Sequence, residues 1–112
     1  MIYTLFFSRL RDRGPKAHEQ YLRHSDSLEQ RVSTEFPGFV DTKTFVAEDG
    51  ERLTLVRFQD AESQHAWASD ALHNQAQERG REEYYDEYRI TLCRELRSHG
   101  WVRETEEAAG DA

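Results

Sequence analysis

The sequence contains a single cysteine, two prolines and no long apolar run, and these scarcities exclude several classes of protein. Cys93 has no partner for an internal disulfide, which fits a reducing compartment, and we expect a cytoplasmic protein. The apolar residues 2–7 are too few for a signal peptide and lack a basic segment before them, so a strand is expected there. No segment approaches the ~18 apolar residues of a membrane helix, so no membrane partner is expected.

Basic residues are also scarce. The 15 lysines and arginines are outnumbered by 22 aspartates and glutamates, which gives a formal net charge of -7. Binding to nucleic acid depends on basic side chains that displace counterions from phosphates, and no basic cluster interleaved with aromatic residues is present. The sequence therefore predicts no nucleic-acid partner.

Sequence motifs that bind metals, phosphates or cofactors are missing as well. The histidines are scattered along the chain: His18, His24, His65, His73 and His99. Their spacing does not match the His-Glu-x-x-His pattern of a zinc site, and no glycine-rich phosphate loop occurs. Cys93 lies in a strand-like segment without an evident histidine partner, which disfavours a nucleophilic role. We expect no metal and no cofactor.

What the sequence does contain is the periodicity of one domain, residues 1–103, and its length suffices for a single core. Residues 2–10 carry apolar side chains at both parities, which is typical of a strand covered on both faces. Pro15 suits the first turn of a following helix, which should end before Pro37. The apolar face of this helix has spacings of three, four and seven residues, and consists of Ala17, Tyr21, His24, Leu28 and Val32.

A β-hairpin is indicated in the middle of the chain. Residues 39–46 and 53–58 both have strand-like patterns, and Asp49-Gly50 lies between them. This dipeptide favours a tight turn, because glycine tolerates the positive φ angle that hairpin turns require.

The remaining elements are a second helix and a last strand. Asp60 is a good N-cap, and Asp70 predicts a kink or restart within the helix, which should end at Gly80. Alternating apolar residues predict a long last strand over residues 88–97. The acidic residues 104–112 have no apolar pattern and are expected to form a disordered tail.

The element order β-α-β-β-α-β predicts an α+β fold, a ferredoxin-like sandwich with two helices on one face of a four-stranded antiparallel sheet. The first strand is apolar on both faces, so helices on one side would leave part of its surface exposed to water. A second subunit is the simplest cover for that surface. We therefore expect a homodimer packed sheet to sheet.

Several segments can be compared with a known family. They are Pro37-Gly38-Phe39, Leu53 to Phe58, Trp67, His73, Ala76-Gln77, Gly80-Arg81 and Tyr85 to Tyr88. Together they resemble the antibiotic biosynthesis monooxygenase family, over about residues 1–101. The resemblance implies a dimeric α+β barrel. The family includes cofactor-free oxygenases of electron-rich aromatic polyketides and quinols, haem-degrading enzymes, and small proteins of unknown activity.

Two departures from the family pattern bear on function. Many relatives have an aromatic residue and a tryptophan just before the second helix, where this chain has Phe58-Gln59. The haem-degrading branch has an asparagine in its first strand and a histidine well beyond its tryptophan. Here the first strand has no asparagine, and Gln77 stands near that histidine position. Haem binding is therefore disfavoured, while His73, six residues after Trp67, resembles the non-haem members.

His73 is the candidate catalytic residue. It lies in a kinked helix among small neighbours, and its unperturbed pKa of about 6.5 would let it act as a general base at neutral pH. The alternative is a histidine that only packs. Trp67 is either a core residue, the more common role for tryptophan, or a platform for the substrate.

Four further residues are candidates for substrate binding: Tyr85, Tyr88, Arg57 and Phe6. The tyrosines could donate hydrogen bonds to a quinone or phenolate oxygen, although one of them is expected only to pack. Arg57 is the single charged residue in an apolar strand. It either pairs with an acidic group across the dimer, which is favoured in so acidic a chain, or binds an anionic substrate.

The sequence thus favours a small cofactor-independent monooxygenase that oxidises a quinol- or anthrone-like aromatic substrate with dioxygen. Its expected partners are a small aromatic or hydrophobic molecule and a second copy of the chain. One alternative is a non-catalytic dimer that binds such a molecule without turnover. A less favoured alternative is a protein that binds or degrades haem.

Overall fold

The structure, a computed structural model, describes residues 1–104. Its elements are, in order, β1 (Ile2–Leu10), α1 (Pro15–Glu35), β2 (Phe39–Val46), β3 (Arg52–Phe58), α2 (Ala61–Ala68), α3 (Ala71–Arg79), a π-helical turn (Gly80–Tyr84) and β4 (Tyr85–Arg94). From residue 105 onward, the predicted disordered tail lies outside the described residues.

The four strands form one antiparallel sheet in the order β2-β3-β1-β4. The central strand β1 pairs with β3 from Ile2 opposite Phe58 to Ser8 opposite Arg52, and with β4 on its other side. The helices pack against one face of this sheet, as the core contacts between them show. The predicted α+β, ferredoxin-like architecture is therefore confirmed.

The second helical layer is divided in two, and each part begins at an aspartate cap. The backbone N–H of Ser63 donates to Oδ1 of Asp60 at 2.8 Å, and the backbone N–H of His73 donates to Oδ2 of Asp70 at 2.8 Å. Such a bond satisfies a backbone donor that has no partner inside the helix. The predicted restart at Asp70 is confirmed, and it fixes where α3 begins.

The core lies between the helices and the strand positions with even numbers. Val32 from α1, Phe58 from β3 and Trp67 from α2 are buried together, and Phe58 is completely inaccessible. Four partly buried residues pack around them: Leu28, Phe36, Phe39 and Val56. Burial of these apolar side chains joins both helical layers to the sheet.

The last strand differs from the prediction, since β4 is Tyr85–Arg94 and not residues 88–97. Its end is set by β1, because Arg94 pairs with Ile2 and the N–H of Glu95 donates to the carbonyl of Met1 at 3.0 Å. No residue of β1 remains for further pairing, and Leu96 is 93% exposed.

Gly80 also has a different role from the predicted one. Its φ of -59° and ψ of -44° are helical, so it does not end α3 in the left-handed conformation, and the chain continues into the π-helical turn. A β-carbon at this position would lie 2.6 Å from Cε2 of Tyr85. Glycine is required because the Tyr85 ring packs directly against the backbone.

The odd-numbered strand positions form the second face of the sheet. Its central residues are Tyr3, Leu5, Phe7, Leu53 and Leu55, which we call the open face. All five are partly exposed, and within residues 1–104 no helix packs on them.

Within the same described range, no helix is long and apolar enough to cross a membrane.

Candidate active site

A cavity of about 170 Å³ lies between the helices and the even-numbered face of the sheet. The helices contribute His24, Trp67 and His73 to its wall, and the sheet contributes Phe6, Tyr85 and Tyr88, among others. Five of the six predicted site residues therefore meet at one cavity, although they are spread over most of the chain. Pockets of this kind, mainly apolar with a few polar groups, are the usual form of small-molecule sites.

His73 is held in one orientation within this cavity. Its Nδ1 lies 3.0 Å from the carbonyl oxygen of Trp67, and a carbonyl can only accept, so Nδ1 carries the proton and donates. The imidazole stacks on the Trp67 ring with centroids 4.1 Å apart and planes 22° apart. Nε2 is then the unprotonated nitrogen of the neutral ring and can accept a proton.

Burial sets the charge state of His73. It lowers the pKa of His73 below the ordinary 6.5 and outweighs the Trp67 carbonyl and Asp70, both of which raise it. Removing a cation from water is unfavourable, so the neutral imidazole is the stable form. His73 is therefore a proton acceptor at neutral pH.

Asp70 connects the start of α3 to α1. Both its carboxylate oxygens accept from the Arg31 guanidinium, and the Nη2 to Oδ1 distance is 2.8 Å. The hydrogen bond from Arg31, and next the backbone N–H of His73, lower the pKa of Asp70 to about 2. Arg31 also lies over the Trp67 ring at 5.9 Å from its centroid. This ion pair fixes the backbone of the residue that bears the candidate base.

Replacing Asp70 by asparagine is expected to flatten the acid limb of the stability curve. The folded-state pKa of about 2 lies below the ordinary 3.8, so the carboxylate stabilises the fold above pH 3.8 and this contribution is lost as the pH falls toward 2. Urea midpoints of both proteins across this range measure the effect. Asp60→Asn is the matched control, because Asp60 caps α2 without an arginine partner. Parallel pH profiles for wild type and Asp70→Asn would contradict the assignment.

Three aromatic rings form one end of the cavity. Phe6 lies 5.4 Å from both Tyr85 and Tyr88, and the two tyrosines are 5.8 Å apart. Burial raises the pKa of Tyr85 far above its ordinary value, so its hydroxyl stays protonated and can donate. The Tyr88 hydroxyl accepts from Arg81 at 2.7 Å, which leaves its own proton free to donate. Both tyrosines can thus provide hydrogen bonds to an oxygen in the cavity.

His24 is a cavity residue that was not among the predicted site residues. It packs against Tyr84 with ring centroids 5.0 Å apart, and within residues 1–104 its ring nitrogens have no hydrogen-bond partner. Burial, and secondarily Arg79, lower its pKa, while Glu83 raises it. The helical spacing already placed His24 on the apolar face of α1, and this was the signal that could have identified it.

Threonines line the sheet side of the cavity. The hydroxyls of Thr44 and Thr54 are 3.0 Å apart, and Thr42 lies beside them. Thr4 differs from these, because its Oγ1 is buried and has no partner within the described residues. A buried hydroxyl without a partner is unfavourable, and a polar group of a ligand would satisfy it.

The structure does not place Arg57 at the cavity. Arg57 lies on the same face as the open face and donates from Nε to Oδ1 of Asp41 at 2.6 Å, on the neighbouring strand. The ion pair favoured by the sequence therefore exists, but it forms within one chain and not across a dimer. A substrate-binding role for Arg57 is corrected accordingly, since its guanidinium already has an acidic partner on the other side of the sheet.

Among residues 1–104, no group of three or more histidine, cysteine or acidic side chains is arranged to hold a metal ion.

No family model matches the chain, and no curated protein matches its sequence. Solved structures do match it. A "putative antibiotic biosynthesis monooxygenase" from Deinococcus radiodurans aligns over 92% of this chain and 100% of its own, with a TM-score of 0.77 and 10% identity. SnoaB from Streptomyces nogalater, described as a cofactor-independent oxygenase, aligns over 87% of this chain and 94% of its own, with a TM-score of 0.70 and 10% identity.

A third structure shows that this fold is not tied to one described activity. A conserved protein of unknown function from Bacteroides thetaiotaomicron aligns over 82% of this chain and 94% of its own, with a TM-score of 0.65 and 17% identity. The resemblance seen in the sequence is thus confirmed at the level of the fold. Fold alone does not establish function, which must be argued from the cavity.

Proposed function

We propose that this protein is a cofactor-independent monooxygenase that oxidises an electron-rich phenol, quinol or anthrone-like molecule with dioxygen. The observation that carries the proposal is the state of His73, a neutral imidazole in the cavity wall with Nδ1 bound to a carbonyl and Nε2 free to accept a proton. The shared fold with SnoaB, a cofactor-independent oxygenase by description, supports it.

The chemistry begins with proton transfer from the substrate hydroxyl to Nε2 of His73. The resulting phenolate transfers one electron to dioxygen, and the two radicals combine to form a peroxide at a ring carbon. Return of the proton gives a hydroperoxide, which loses water to leave a carbonyl. For a phenol with a hydrogen at the oxidised carbon, the balance is phenol plus dioxygen to quinone plus water. The substrate itself supplies the electrons.

The cavity would contribute orientation and electrostatic stabilisation to this sequence. Hydrogen bonds from Tyr85 and Tyr88 can stabilise the negative charge that develops on the substrate oxygen, an effect that is strongest where water is excluded. Phe6 and Trp67 provide apolar surfaces for the faces of an aromatic ring. Each residue then acts in a way that its position in the cavity permits.

The size of the cavity narrows the class of substrate. An apolar cavity of roughly 150 Å³ holds one benzene molecule, and the cavity here has a volume of about 170 Å³. The enclosed part therefore accommodates a single aromatic ring with small substituents. A polycyclic substrate would extend through the opening, and a haem macrocycle is too large to be enclosed.

The direct test is oxygen uptake by the purified protein with a panel of substituted phenols and hydroquinones. Uptake above the spontaneous rate, proportional to protein concentration, is the expected result. Quenching of tryptophan fluorescence by the same compounds measures binding separately, because Trp67 lines the cavity. Binding without uptake would favour the alternative of a non-catalytic ligand-binding protein. A perturbed haem absorption band on addition of hemin would favour the haem alternative.

We further propose that a second copy of this chain covers the open face. A partly exposed row of apolar residues on a sheet is typical of an interface, and two identical faces can pack symmetrically. The segment after β4 adds three exposed apolar residues, Leu96, Trp101 and Val102, at 93%, 71% and 88% exposure. Because this segment projects beyond the sheet, a second copy is the simplest cover for it too.

Replacing Leu55 by glutamate is expected to convert the dimer to a monomer, because it places a charge in the centre of the open face. Light scattering coupled to size-exclusion chromatography measures the mass directly. Leu22→Glu is the matched control, since Leu22 is 40% exposed on α1, away from both the open face and the cavity. A wild-type protein of monomer mass, or a Leu55→Glu variant that remains dimeric, would contradict sheet-to-sheet packing.

A further inference from the structure

We propose that His24 is a second catalytic residue, which removes the proton from the oxidised ring carbon when the hydroperoxide loses water. This inference rests on the proposed function. It deepens it by dividing the two proton transfers of the reaction between two histidines on different helices, His73 on α3 and His24 on α1.

The reaction needs proton transfer at two separate places on the substrate. The first proton leaves the hydroxyl oxygen, and the second leaves the carbon that bears the hydroperoxide. In the second step the C–H bond breaks and its electron pair forms the new C=O double bond. The O–O bond breaks with its pair on the departing hydroxide, which takes up the proton and leaves as water. For oxidation at the para carbon, these two positions lie at opposite ends of the ring.

His73 is poorly suited to serve both positions. Its Nδ1 is bound to the Trp67 carbonyl at 3.0 Å, and its ring is stacked on the Trp67 ring at 4.1 Å. The backbone of His73 is itself fixed by the cap at Asp70. A base held at both ring and backbone can accept a proton at one place only, and efficient transfer requires hydrogen-bond distance.

His24 is placed to serve the second position. It lines the same cavity from α1, and Tyr84 supports its ring at 5.0 Å. The charged groups near it are Arg79 from α3 and Glu83 from the π-helical turn, which bond to each other at 3.0 Å. Burial and Arg79 favour the neutral imidazole, the form that accepts a proton. Within residues 1–104 no protein group occupies its ring nitrogens, so they are available to a ligand.

Other polar groups of the cavity fit this role less well. Tyr85 stays protonated, because burial raises its pKa, and it can act as a donor but not as a base. Gln64 and Gln77 cannot accept a proton at neutral pH. Glu29 lines the cavity, but it is exposed to solvent, where a carboxylate is a weak base.

The test compares oxygen uptake with quinone formation in wild type and His24→Gln. We expect the variant to retain oxygen uptake while quinone formation slows by about 10²-fold, within the range typical of a general base, so that substrate hydroperoxide accumulates. A phenol deuterated at the para carbon should then show an isotope effect on quinone formation. His18→Gln is the matched control, because His18 is exposed on the same helix and does not line the cavity.

Binding of the product quinone, followed by tryptophan fluorescence, verifies that the cavity of each variant is intact, and His24→Asn provides a second variant of different size. Equal ratios of quinone to consumed oxygen in wild type and both His24 variants would overturn this inference alone. The same holds if Glu29→Gln, but no His24 variant, accumulates hydroperoxide. Absence of oxygen uptake by the wild type with every substrate would overturn the proposed function, and this inference with it.

Discussion

Replacement of His73 by glutamine is expected to lower the rate of oxygen uptake by about 10²- to 10⁴-fold, the usual contribution of a general base. Glutamine keeps a polar side chain of similar reach but cannot accept the substrate proton at neutral pH. Steady-state oxygen uptake with the best phenol of the panel measures the loss. Because the change is in the proton acceptor, kcat should fall while binding of the product quinone is largely retained.

The pH profile gives an independent readout of the same residue. The neutral imidazole is the active form, and burial lowers its pKa below 6.5, so the rate should be flat through neutral pH and fall only below 6.5. His65→Gln is a matched control on an exposed histidine outside the cavity. A His73→Gln variant with wild-type rate and wild-type pH profile would show that His73 only packs.

Replacing Trp67 by alanine is expected to destabilise the fold by about 3–5 kcal/mol, the usual cost of removing a large aromatic residue from a core. Trp67 is only 7% exposed and packs with Val32 and Phe58, and its ring meets Phe36 edge-on at 4.9 Å. Urea denaturation measures the loss as a shift of the midpoint with little change in slope. An unchanged midpoint would contradict the position of Trp67 in the core.

Trp67→Phe separates the structural role of this residue from a role in the site. Phenylalanine retains an aromatic ring in the core, so the midpoint should fall less than with alanine. If Trp67 also serves as a substrate platform and orients His73 through their stacked rings, oxygen uptake should fall even in this more stable variant. Wild-type uptake in Trp67→Phe would assign Trp67 to the core alone.

The sequence predicted those parts of the fold that depend on local chemistry. Pro15 and Asp60 marked helix starts through backbone groups within a few residues, and Asp49-Gly50 marked a turn between neighbouring strands. The same reasoning placed the restart at Asp70. In each case the physical cause lies within one turn of helix or one hairpin, so a short segment contains the necessary information.

The remaining features depend on contacts between distant segments. The end of β4 is determined by where β1 begins, and the glycine at position 80 reflects the approach of the Tyr85 ring. Arg57 finds Asp41 only because β2 pairs with β3 in one register. A pattern of spacing within single elements cannot reveal such partners.

The candidate site was predictable in part for the same reason. His73 and Trp67 are close in sequence, and the aromatic residues near Tyr85 were conspicuous, so their grouping could be expected. His24 is far from them along the chain, and its helical spacing was equally consistent with simple burial. Only the packing of α1 against the π-helical turn shows that this histidine shares the cavity with His73.

The central claim is that dioxygen, with no added cofactor, is the source of an oxygen atom in the product. The most direct measurement is turnover of a phenol under isotopically labelled dioxygen, with mass spectrometry of the quinone. The mechanism predicts one labelled oxygen atom in the quinone and the other in water. An unlabelled quinone accompanied by hydrogen peroxide, or no quinone above the spontaneous reaction, would contradict it.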